Sequence, residues 1–420
     1  MAVARATLAA WARDERERWH VPGIAVGLLE RGRVELTADG VAELGSDEPV
    51  TPATSFRIAS VTKPFTATLV MSLVEVGLLD LDAAVAGRPG VTLRRCLSHQ
   101  AGLPLELDTS LERFGDGDDA LARLAAAEVP SGLVAPGELA SYSNVGYWLA
   151  GAAAAGAAGT SFEDALRERV LEPLGLHDTA FEPVAPAATG HVQVAPGTDL
   201  HRPVERTTPR ARRPSGGLWS CVDDLLRFAA HHLGGPGPLG PAARAAMQEP
   251  AIADARGWYG LGWQLRRSAR GDRIVEHLGS AAGFQTILLL APERALALTA
   301  LTNSGRGSAA IGGLVERLGL GPEDPPVVQL AREELVQFEG TYRSGSLEVT
   351  VAVDGRELRI EAVELDPFSG ERVADPVVHA RPAGPRSFVV VDEEWCGARL
   401  DFPGTALVRY GGVLARRVRA

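Results

Sequence analysis

The chain has 420 residues, of which 45% are hydrophobic, and a formal net charge of −11. This length and composition support two or three domains with large apolar cores. The acidic balance gives no electrostatic support for binding to nucleic acid or to an anionic membrane. Cys96, Cys221 and Cys396 have no spacing typical of disulfides or metal ligands, and we interpret Cys96 and Cys221 as buried core thiols.

The first 20 residues predict an amphipathic helix that is dense in arginine and acidic residues. They lack the uninterrupted apolar stretch of a signal peptide, and the sequence contains no run of 18 apolar residues that predicts a membrane span. We therefore expect a cytoplasmic protein without a membrane segment. A β-hairpin is predicted next, with Gly23–Leu29 and Val34–Thr37 on either side of a turn.

Lys63 is the single lysine of a chain with 41 arginines. Arginine does not release its proton near neutral pH, so a lysine retained at one position suggests an amine that is needed as an amine. Apolar residues spaced by four from Val61 predict a buried helix with Pro64 in its first turn. This helix brings Ser60 close to Lys63, whose neutral amine can take the hydroxyl proton. The alternative is a capping serine followed by a solvated lysine.

The region 60–233 is predicted to be rich in helices, with two long irregular stretches, 108–119 and 183–214, that we interpret as functional loops or lids. Tyr142 and Asn144 open one of the helices, where they can orient Lys63 or a substrate with a phenol and an amide. Alternatively, Tyr142 is a buried aromatic residue and Asn144 a helix cap. In the tight loop 97–104, we interpret His99 as a hydrogen-bonding scaffold.

Beyond Gly260 the pattern predicts strands over 262–265, 273–277, 284–290 and 295–302, then a helix over 309–318. His277, Gly279 and Ser280 lie at the end of the second strand. Gly279 allows close approach of a substrate backbone, and the N–H of Ser280 is a candidate partner for that of Ser60 in an oxyanion hole. Alternatively, His277 is an ordinary strand residue before a turn.

A linker rich in proline and glycine is predicted over 321–332, between domains at 1–320 and 333–420. The second domain has an all-strand pattern that indicates a small antiparallel β domain. Its end is basic, and we name Arg409 and Arg416, with Arg417 and Arg419 nearby, as candidates to hold a substrate carboxylate over the Ser60 cleft. The alternative is a stabilising appendage with solvated charge.

Three of these segments together resemble the motifs of one enzyme family. Ser60-Val61-Thr62-Lys63, Tyr142-Ser143-Asn144 and His277-Leu278-Gly279 are similar to the nucleophile, Tyr-x-Asn and Lys-Thr-Gly motifs of serine hydrolases of the class C β-lactamase and DD-peptidase family. The resemblance covers about residues 15–320 and implies an α+β fold, in which an antiparallel sheet is flanked by a helical region. The C-terminal segment resembles the lipocalin-like domain of some members.

The resemblance implies that Ser60 forms an acyl-enzyme, with Lys63 and Tyr142 moving its proton and Asn144 and His277 orienting the acyl donor. Expected substrates are small peptides containing D-residues, or esters, and no cofactor or metal is expected. His277 replaces the lysine usual in true class C β-lactamases and DD-peptidases, which implies weak β-lactamase activity at most.

Esterases, D-aminopeptidases and penicillin-binding-protein-type thioesterases that cyclise nonribosomal peptides tolerate histidine at this position. The alternative substrate is therefore a peptide thioester bound to a carrier protein.

Two hypotheses from other functional classes stay open. One is a Schiff-base enzyme that uses Lys63, against which the sequence shows no phosphate-binding glycine loop and no barrel repeat. The other is a catalytically inactive ligand-binding protein with the same fold. The retention of Ser60, Lys63 and Tyr142 argues against this second alternative.

Overall fold

A computed structural model of the chain describes residues 3–107, 114–193, 201–204, 208–365, 372–392 and 397–418. Cys396, Arg419 and parts of both predicted long loops (108–113, 194–200 and 205–207) lie outside the described residues. The helices are α1 Arg5–Arg18, α2 Thr62–Glu75, α3 Leu93–Leu97, α4 Ala120–Ala126, α5 Asn144–Ala158, α6 Phe162–Leu166, α7 Glu172–Leu174, α8 Arg213–Gly216, α9 Val222–His232, α10 Pro241–Met247, α11 Gly307–Arg317 and α12 Arg332–Val336.

The strands fall into two large antiparallel sheets and two short pairs. Those before residue 303 are β1 Gly23–Glu30, β2 Arg33–Gly40, β3 Phe56–Arg57, β4 Gly190–Gln193, β5 His201–Val204, β6 Trp219–Ser220, β7 Ile252–Ala253, β8 Trp258–Tyr259, β9 Gln264–Arg267, β10 Arg273–Ala281, β11 Phe284–Ala291 and β12 Leu296–Thr302. Those after it are β13 Gly340–Arg343, β14 Leu347–Asp354, β15 Glu357–Leu365, β16 Arg372–Ala374, β17 Val378–Pro382, β18 Ser387–Val390, β19 Arg399–Gly404, β20 Leu407–Tyr410 and β21 Val413–Arg417.

The first sheet has the order β2-β1-β12-β11-β10-β9-β8-β7 and is covered on both faces. In β1, Ile24 and Val26 pack on one face with residues of α1 and α11, whereas Ala25 and Leu29 join the core beneath the helical region. Successive side chains of a strand point to opposite faces, so a strand covered on both sides is a continuous apolar run. This explains why β1 shows no alternation of polar and apolar residues.

Helix α2, which follows Ser60, lies inside the helical region. It is buried from Thr62 to Leu73, and the ring of Phe65 stacks on Phe228 of α9 with 3.8 Å between centroids. A helix that is buried all round is held by its neighbours rather than by one apolar stripe. The helix that carries Lys63 is therefore a rigid element of the core.

The C-terminal strands close into an eight-stranded antiparallel barrel. The order runs β14-β13-β21-β20-β19-β18-β17-β15, and pairing between β14 and β15 closes the ring, with β16 added beside β15. A cluster of aromatic rings, Phe338, Phe388 and Phe402, fills the interior. Leu330 and Leu335 already pack against this core, and the division of the chain at 321–332 stays a prediction.

The structure confirms the predicted fold class, an antiparallel sheet with a flanking helical region plus a lipocalin-like β domain. The interpretation of 183–214 as irregular is wrong in part, because the described residues of this stretch include the paired strands β4 and β5 and the start of helix α8. The strand that carries His277 continues to Ala281, four residues further than predicted. The predicted all-strand pattern of the C-terminal domain is confirmed from Gly340 onward in the described residues, and the short helix α12 precedes it.

Cys96 and Cys221 are buried free thiols, as predicted, and burial raises the pKa of Cys96 to about 12 and that of Cys221 to about 11. Both side chains are therefore protonated at neutral pH, in agreement with a packing role. Within the described part of the chain, none of the helices combines the length and apolar character needed to cross a bilayer.

Candidate active site

Ser60 lies in a 3-10 turn, Ala59–Val61, directly before α2. Its neighbour Ala59 has a φ of +47°, a conformation that is strained for a residue with a Cβ and persists only where the surroundings impose it. The surroundings act through Ile58, whose N–H donates to the Leu218 carbonyl at 3.0 Å and whose carbonyl accepts from the Thr286 hydroxyl at 3.0 Å. The turn is thus tied to both the helical region and β11.

The Lys63 amine is fully buried and has three polar contacts. Its Nζ lies 3.0 Å from Ser60 Oγ, 2.7 Å from Asn144 Oδ1 and 2.8 Å from the Ser215 carbonyl oxygen. A neutral amine has two hydrogens and one lone pair, and the amide and carbonyl oxygens can only accept. Both hydrogens are therefore used by these two oxygens, which leaves the lone pair for the Ser60 hydroxyl.

Burial lowers the pKa of Lys63 from 10.5 to about 7, against an opposing effect of the Glu106 carboxylate. Removing a charged ammonium from water is costly, so a buried lysine releases its proton more readily. A large share of the protein consequently carries a neutral Lys63 at neutral pH. The contacts and the protonation state together allow this amine to act as a general base toward Ser60.

Tyr142 faces the same serine. Its phenol interacts with Ser60 by a hydrogen bond, and burial raises its pKa above the ordinary value, so it is protonated at neutral pH. The ring stacks on His99 with 4.2 Å between centroids. His99 in turn accepts from the Ser143 N–H through Nδ1 at 3.0 Å, and burial holds its pKa well below 6.5. The structure thus places His99 as a scaffold that positions Tyr142.

His277 is buried near Tyr142, with 6.4 Å between ring centroids. Burial, together with the nearby Lys63 charge, lowers its pKa to about 3, so the imidazole is uncharged. The Nδ1 atom lies 2.7 Å from the Leu278 carbonyl and therefore carries the hydrogen, which leaves Nε2 as an acceptor. This motif consequently provides a neutral hydrogen-bonding group and no cation.

Strand β10 passes directly beside the nucleophile turn. It pairs with β11 as far as Ala281 but with β9 only as far as Glu276, so the edge from His277 onward is open toward Ser60. A Cβ on Gly279 would lie 2.2 Å from the Ile58 carbonyl oxygen, which only glycine permits. Ser280 and Ala281 line a small cleft of about 70 Å³ together with Ser60.

Two residues that sequence reasoning missed, Glu106 and Arg212, also line this cleft. Glu106 is buried, accepts from Asn144 Nδ2 at 2.6 Å and lies 3.3 Å from Arg212 Nη1. Glu106 follows the loop 97–104 by two residues, and an acid between two leucines was the available signal. Arg212 gave no signal, because arginine is common throughout this chain.

The barrel reaches the site through the turn between β20 and β21. The Tyr142 N–H donates to the Gly412 carbonyl at 2.9 Å, and the Leu414 N–H donates to the Ser141 hydroxyl at 3.3 Å. Tyr142 and Leu105 also pack against the apolar core of the barrel. The C-terminal domain therefore forms part of the wall behind Tyr142.

The candidate carboxylate-binding arginines point elsewhere. Arg409 is buried and pairs with Asp401 of the barrel at 3.3 Å, while Arg416 donates to the Leu133 carbonyl. Arg417 donates to the carbonyls of Gln337 and Glu339. Among the described residues, none of these three guanidinium groups contacts Ser60, Lys63 or Tyr142, so their assignment as substrate ligands gains no support.

One group of potential metal ligands, Asp178, Cys221 and Asp224, has its ligand atoms within 4.8 Å of one another. Asp224 accepts from the Asp178 N–H and from the Thr179 hydroxyl, both at 2.8 Å, next to the start of α9. These hydrogen bonds give the cluster a structural explanation. It includes no residue of the Ser60 site.

Comparisons with known proteins identify the family of this chain. The family described as beta-lactamase matches residues 8–318. Penicillin-binding protein 4 of Amycolatopsis lactamdurans is 35% identical over 326 residues, which cover 69% of this chain and 83% of that protein.

Two solved structures extend the comparison. The crystal structure of SurE superposes with a TM-score of 0.76 and 28% identity over 99% of both chains. D-amino acid amidase from Ochrobactrum anthropi SV3 superposes with a TM-score of 0.62 and 25% identity, over 74% of this chain and 97% of its own. Because the family match covers most of the sequence and the fold is shared, we conclude that the chain belongs to the β-lactamase family of serine hydrolases.

Proposed function

We propose that the protein is an acyl-transferring serine hydrolase that works through an acyl-enzyme on Ser60. The observation that carries this proposal is the 3.0 Å contact between Ser60 Oγ and Lys63 Nζ, with the two lysine hydrogens held by Asn144 and Ser215. Lys63 takes the hydroxyl proton as Ser60 Oγ attacks the substrate carbonyl. The bond to the leaving group then breaks, and the leaving group receives the proton.

Tyr142 acts in the second proton transfer. Its phenol stays protonated at neutral pH, so it can donate to the leaving group and be reprotonated from the Lys63 ammonium, which lies 4.8 Å from the ring centroid. The developing oxyanion is held by the backbone N–H groups of Ser60 and Ser280, at the open edge of β10. Asn144, His277 and Gly279 bind and orient the acyl donor.

The substrate class we propose is a small peptide or amino-acid derivative with a D-residue at the acyl position, cleaved at an amide or ester bond. Two similar structures support this preference. SurE, which matches this chain along its whole length, was solved with D-Leu, and the amidase, which covers 74% of this chain, is named for D-amino acids. The cleft beside Ser60 is small, which favours short acyl donors.

A panel of acyl donors tests the proposal. Intact-protein mass spectrometry after a brief incubation should show adducts on Ser60 with p-nitrophenyl esters and with D-residue peptide esters. The matched L-diastereomers should react more slowly, and the Ser60→Ala protein should carry no adduct. Adducts that persist in Ser60→Ala, or the absence of an adduct with every donor, would contradict the proposal.

A second candidate is release or cyclisation of a peptide thioester, with an amine in place of water as the acceptor. The contact of the barrel with Tyr142 favours it, because the barrel adds to the wall behind Tyr142 and a more enclosed site restricts the access of water. Incubation with a D-residue peptidyl thioester that has a free N-terminal amine should then give a cyclic product. Formation of the linear acid alone would assign the protein to simple hydrolysis.

Weak β-lactamase activity is the third part of the proposal. The uncharged His277 does not supply the lysine cation that usually recognises the β-lactam carboxylate. We expect penicillins to acylate Ser60 slowly and to be released slowly. Cephalosporin turnover with kcat/KM above about 10⁵ M⁻¹s⁻¹ would restore a β-lactamase assignment.

A further inference from the structure

Glu106 is a buried acid that the mechanism above does not use. Its segment is tied to the start of α5 at three successive residues. The Ser143 hydroxyl donates to the Pro104 carbonyl at 2.6 Å, and the Asn144 N–H donates to the Leu105 carbonyl at 2.9 Å. The Asn144 side-chain amide then donates to Glu106 Oε1 at 2.6 Å. Its place opposite Asn144 is therefore fixed by the main chain.

The Asn144 amide has one chemically consistent orientation between its two neighbours. Lys63 offers hydrogens, and an ionised Glu106 can only accept them. With Oδ1 toward Lys63 at 2.7 Å and Nδ2 toward Glu106 at 2.6 Å, both contacts are satisfied. A flipped amide would place two acceptors against each other at Glu106 and would turn its NH₂ group toward the Lys63 amine. The carboxylate thus selects the amide orientation.

The orientation matters at Ser60. If Asn144 presented its NH₂ group to Lys63, the lysine lone pair would be drawn to that donor and away from the serine hydroxyl. We propose that Glu106 is a positioning residue, which holds the Asn144 carbonyl oxygen toward Lys63 and thereby keeps the lysine lone pair directed at Ser60. This inference rests on the proposed role of Lys63 as the base.

The charged and titratable groups around Lys63 come from several elements. The rings of Tyr142 and Tyr147 lie 4.8 and 5.3 Å from Nζ, and both phenols are protonated because burial raises their pKa values. His99 and His277 are uncharged, since burial lowers their pKa values. Burial raises the pKa of Glu106, and this rise is opposed by Arg212 on the far side of the carboxyl group and by the hydrogen bond from Asn144. Glu106 is the charge that raises the pKa of Lys63.

The test uses the fact that Lys63 is the single lysine of the chain. Protein labelled with ¹³Cε-lysine gives one lysine signal, which can be titrated by NMR without any substrate. In the Glu106→Gln protein the midpoint of the Lys63 titration should fall by roughly half a pH unit or more, because the negative charge that stabilises the lysine ammonium is lost. Glu15→Gln is the matched control, since Glu15 is also a buried acid paired with an arginine, Arg317. Its midpoint should equal that of the wild type.

Kinetics complete the test. Glu106→Gln should lower kcat for a p-nitrophenyl ester by about tenfold or more at a pH where Lys63 is neutral, with little change in KM, because a glutamine amide accepts either orientation of Asn144. Glu15→Gln should keep the wild-type kcat. If folded Glu106→Gln has the wild-type lysine midpoint and the wild-type kcat, the inference about Glu106 is overturned, while the proposed role of Lys63 as the base is not affected. A wild-type midpoint near 10.5 would instead overturn the proposed base and, with it, this inference.

Discussion

At the residue scale, burial controls the protonation state of one amine, that of Lys63. Lys63 is fully buried, and its contacts with Asn144 and Ser215 consume its hydrogens. A guanidinium at the same place would stay charged, because its pKa lies far above neutral. The sequence therefore retains lysine at a position where charge alone would be served equally well by arginine.

Replacement of Lys63 by arginine should be nearly as damaging as Ser60→Ala. Arginine retains a positive charge and hydrogen-bond donors but cannot accept the serine proton, so acylation should slow by about 10³-fold or more. Stopped-flow measurement of p-nitrophenol release gives the acylation rate. A Lys63→Arg protein that keeps a tenth of the wild-type rate would exclude a general-base role.

The pH dependence of kcat/KM should report Lys63 directly. The base must be neutral, so activity should rise with pH through about 7, the pKa of Lys63 in the folded protein. His277, with its pKa near 3, and His99 do not titrate in this range. The raised pKa of Tyr142 predicts no loss of activity between pH 8 and 10. A rise in kcat/KM centred above pH 9 would indicate that the pKa of Lys63 is not lowered.

At the element scale, the site depends on the approach of β10 to the nucleophile turn. The Thr286 hydroxyl donates to the Ile58 carbonyl, and Gly279 leaves no room for a Cβ beside that same oxygen. A strand and a turn are thus in direct backbone contact. Their spacing sets the distance between Ser60 and the candidate oxyanion donor at Ser280.

Gly279→Ala should separate strand β10 from the turn that carries Ser60. Its Cβ would lie 2.2 Å from both the Ile58 oxygen and Thr286 Oγ1, so the turn must move, and we expect ester turnover to fall by about 10²-fold. Gly312→Ala is the control, because this exposed glycine of α11 has no atom within 4 Å of the added Cβ. Turnover and thermal unfolding of both variants are measured. Equal turnover in the two proteins would show that the spacing is not critical.

At the scale of the whole molecule, the barrel takes part in building the site. The turn at Gly411–Gly412 has positive φ values of 56° and 85°, as a tight hairpin requires, and it presents the Gly412 carbonyl to the Tyr142 N–H. The position of the tyrosine therefore depends on a domain about 270 residues further along the chain.

Gly412→Val should impair catalysis through Tyr142. Valine is strained at a φ of +85°, and its side chain would meet Tyr142 and Arg256, so we expect at least a tenfold loss of ester turnover. Gly355→Val is the matched control, since Gly355 has a φ of +60° in another barrel hairpin and no atom lies within 4 Å of the added Cβ. Both variants should lose stability in thermal unfolding. Comparable kinetic losses would mean that the barrel acts only through stability.

The sequence by itself predicted the fold class, through the resemblance of three motifs to a known family, and the contact between Ser60 and Lys63. Helical spacing from Val61 placed Ser60 beside Lys63, and the structure has them 3.0 Å apart. Such contacts are local, so backbone periodicity is sufficient to predict them. The buried strands of the first sheet were likewise visible as apolar runs.

Only the tertiary structure decided what surrounds those residues. Asn144 meets Lys63 across 81 positions of the chain, and Gly412 meets Tyr142 across 270. The pKa of Lys63 is set by burial among these distant segments, and the basic barrel end that the sequence pointed to turned out to bind the protein's own carbonyl and carboxylate groups. Neither effect leaves a local pattern, because both depend on which surfaces meet when the two domains pack.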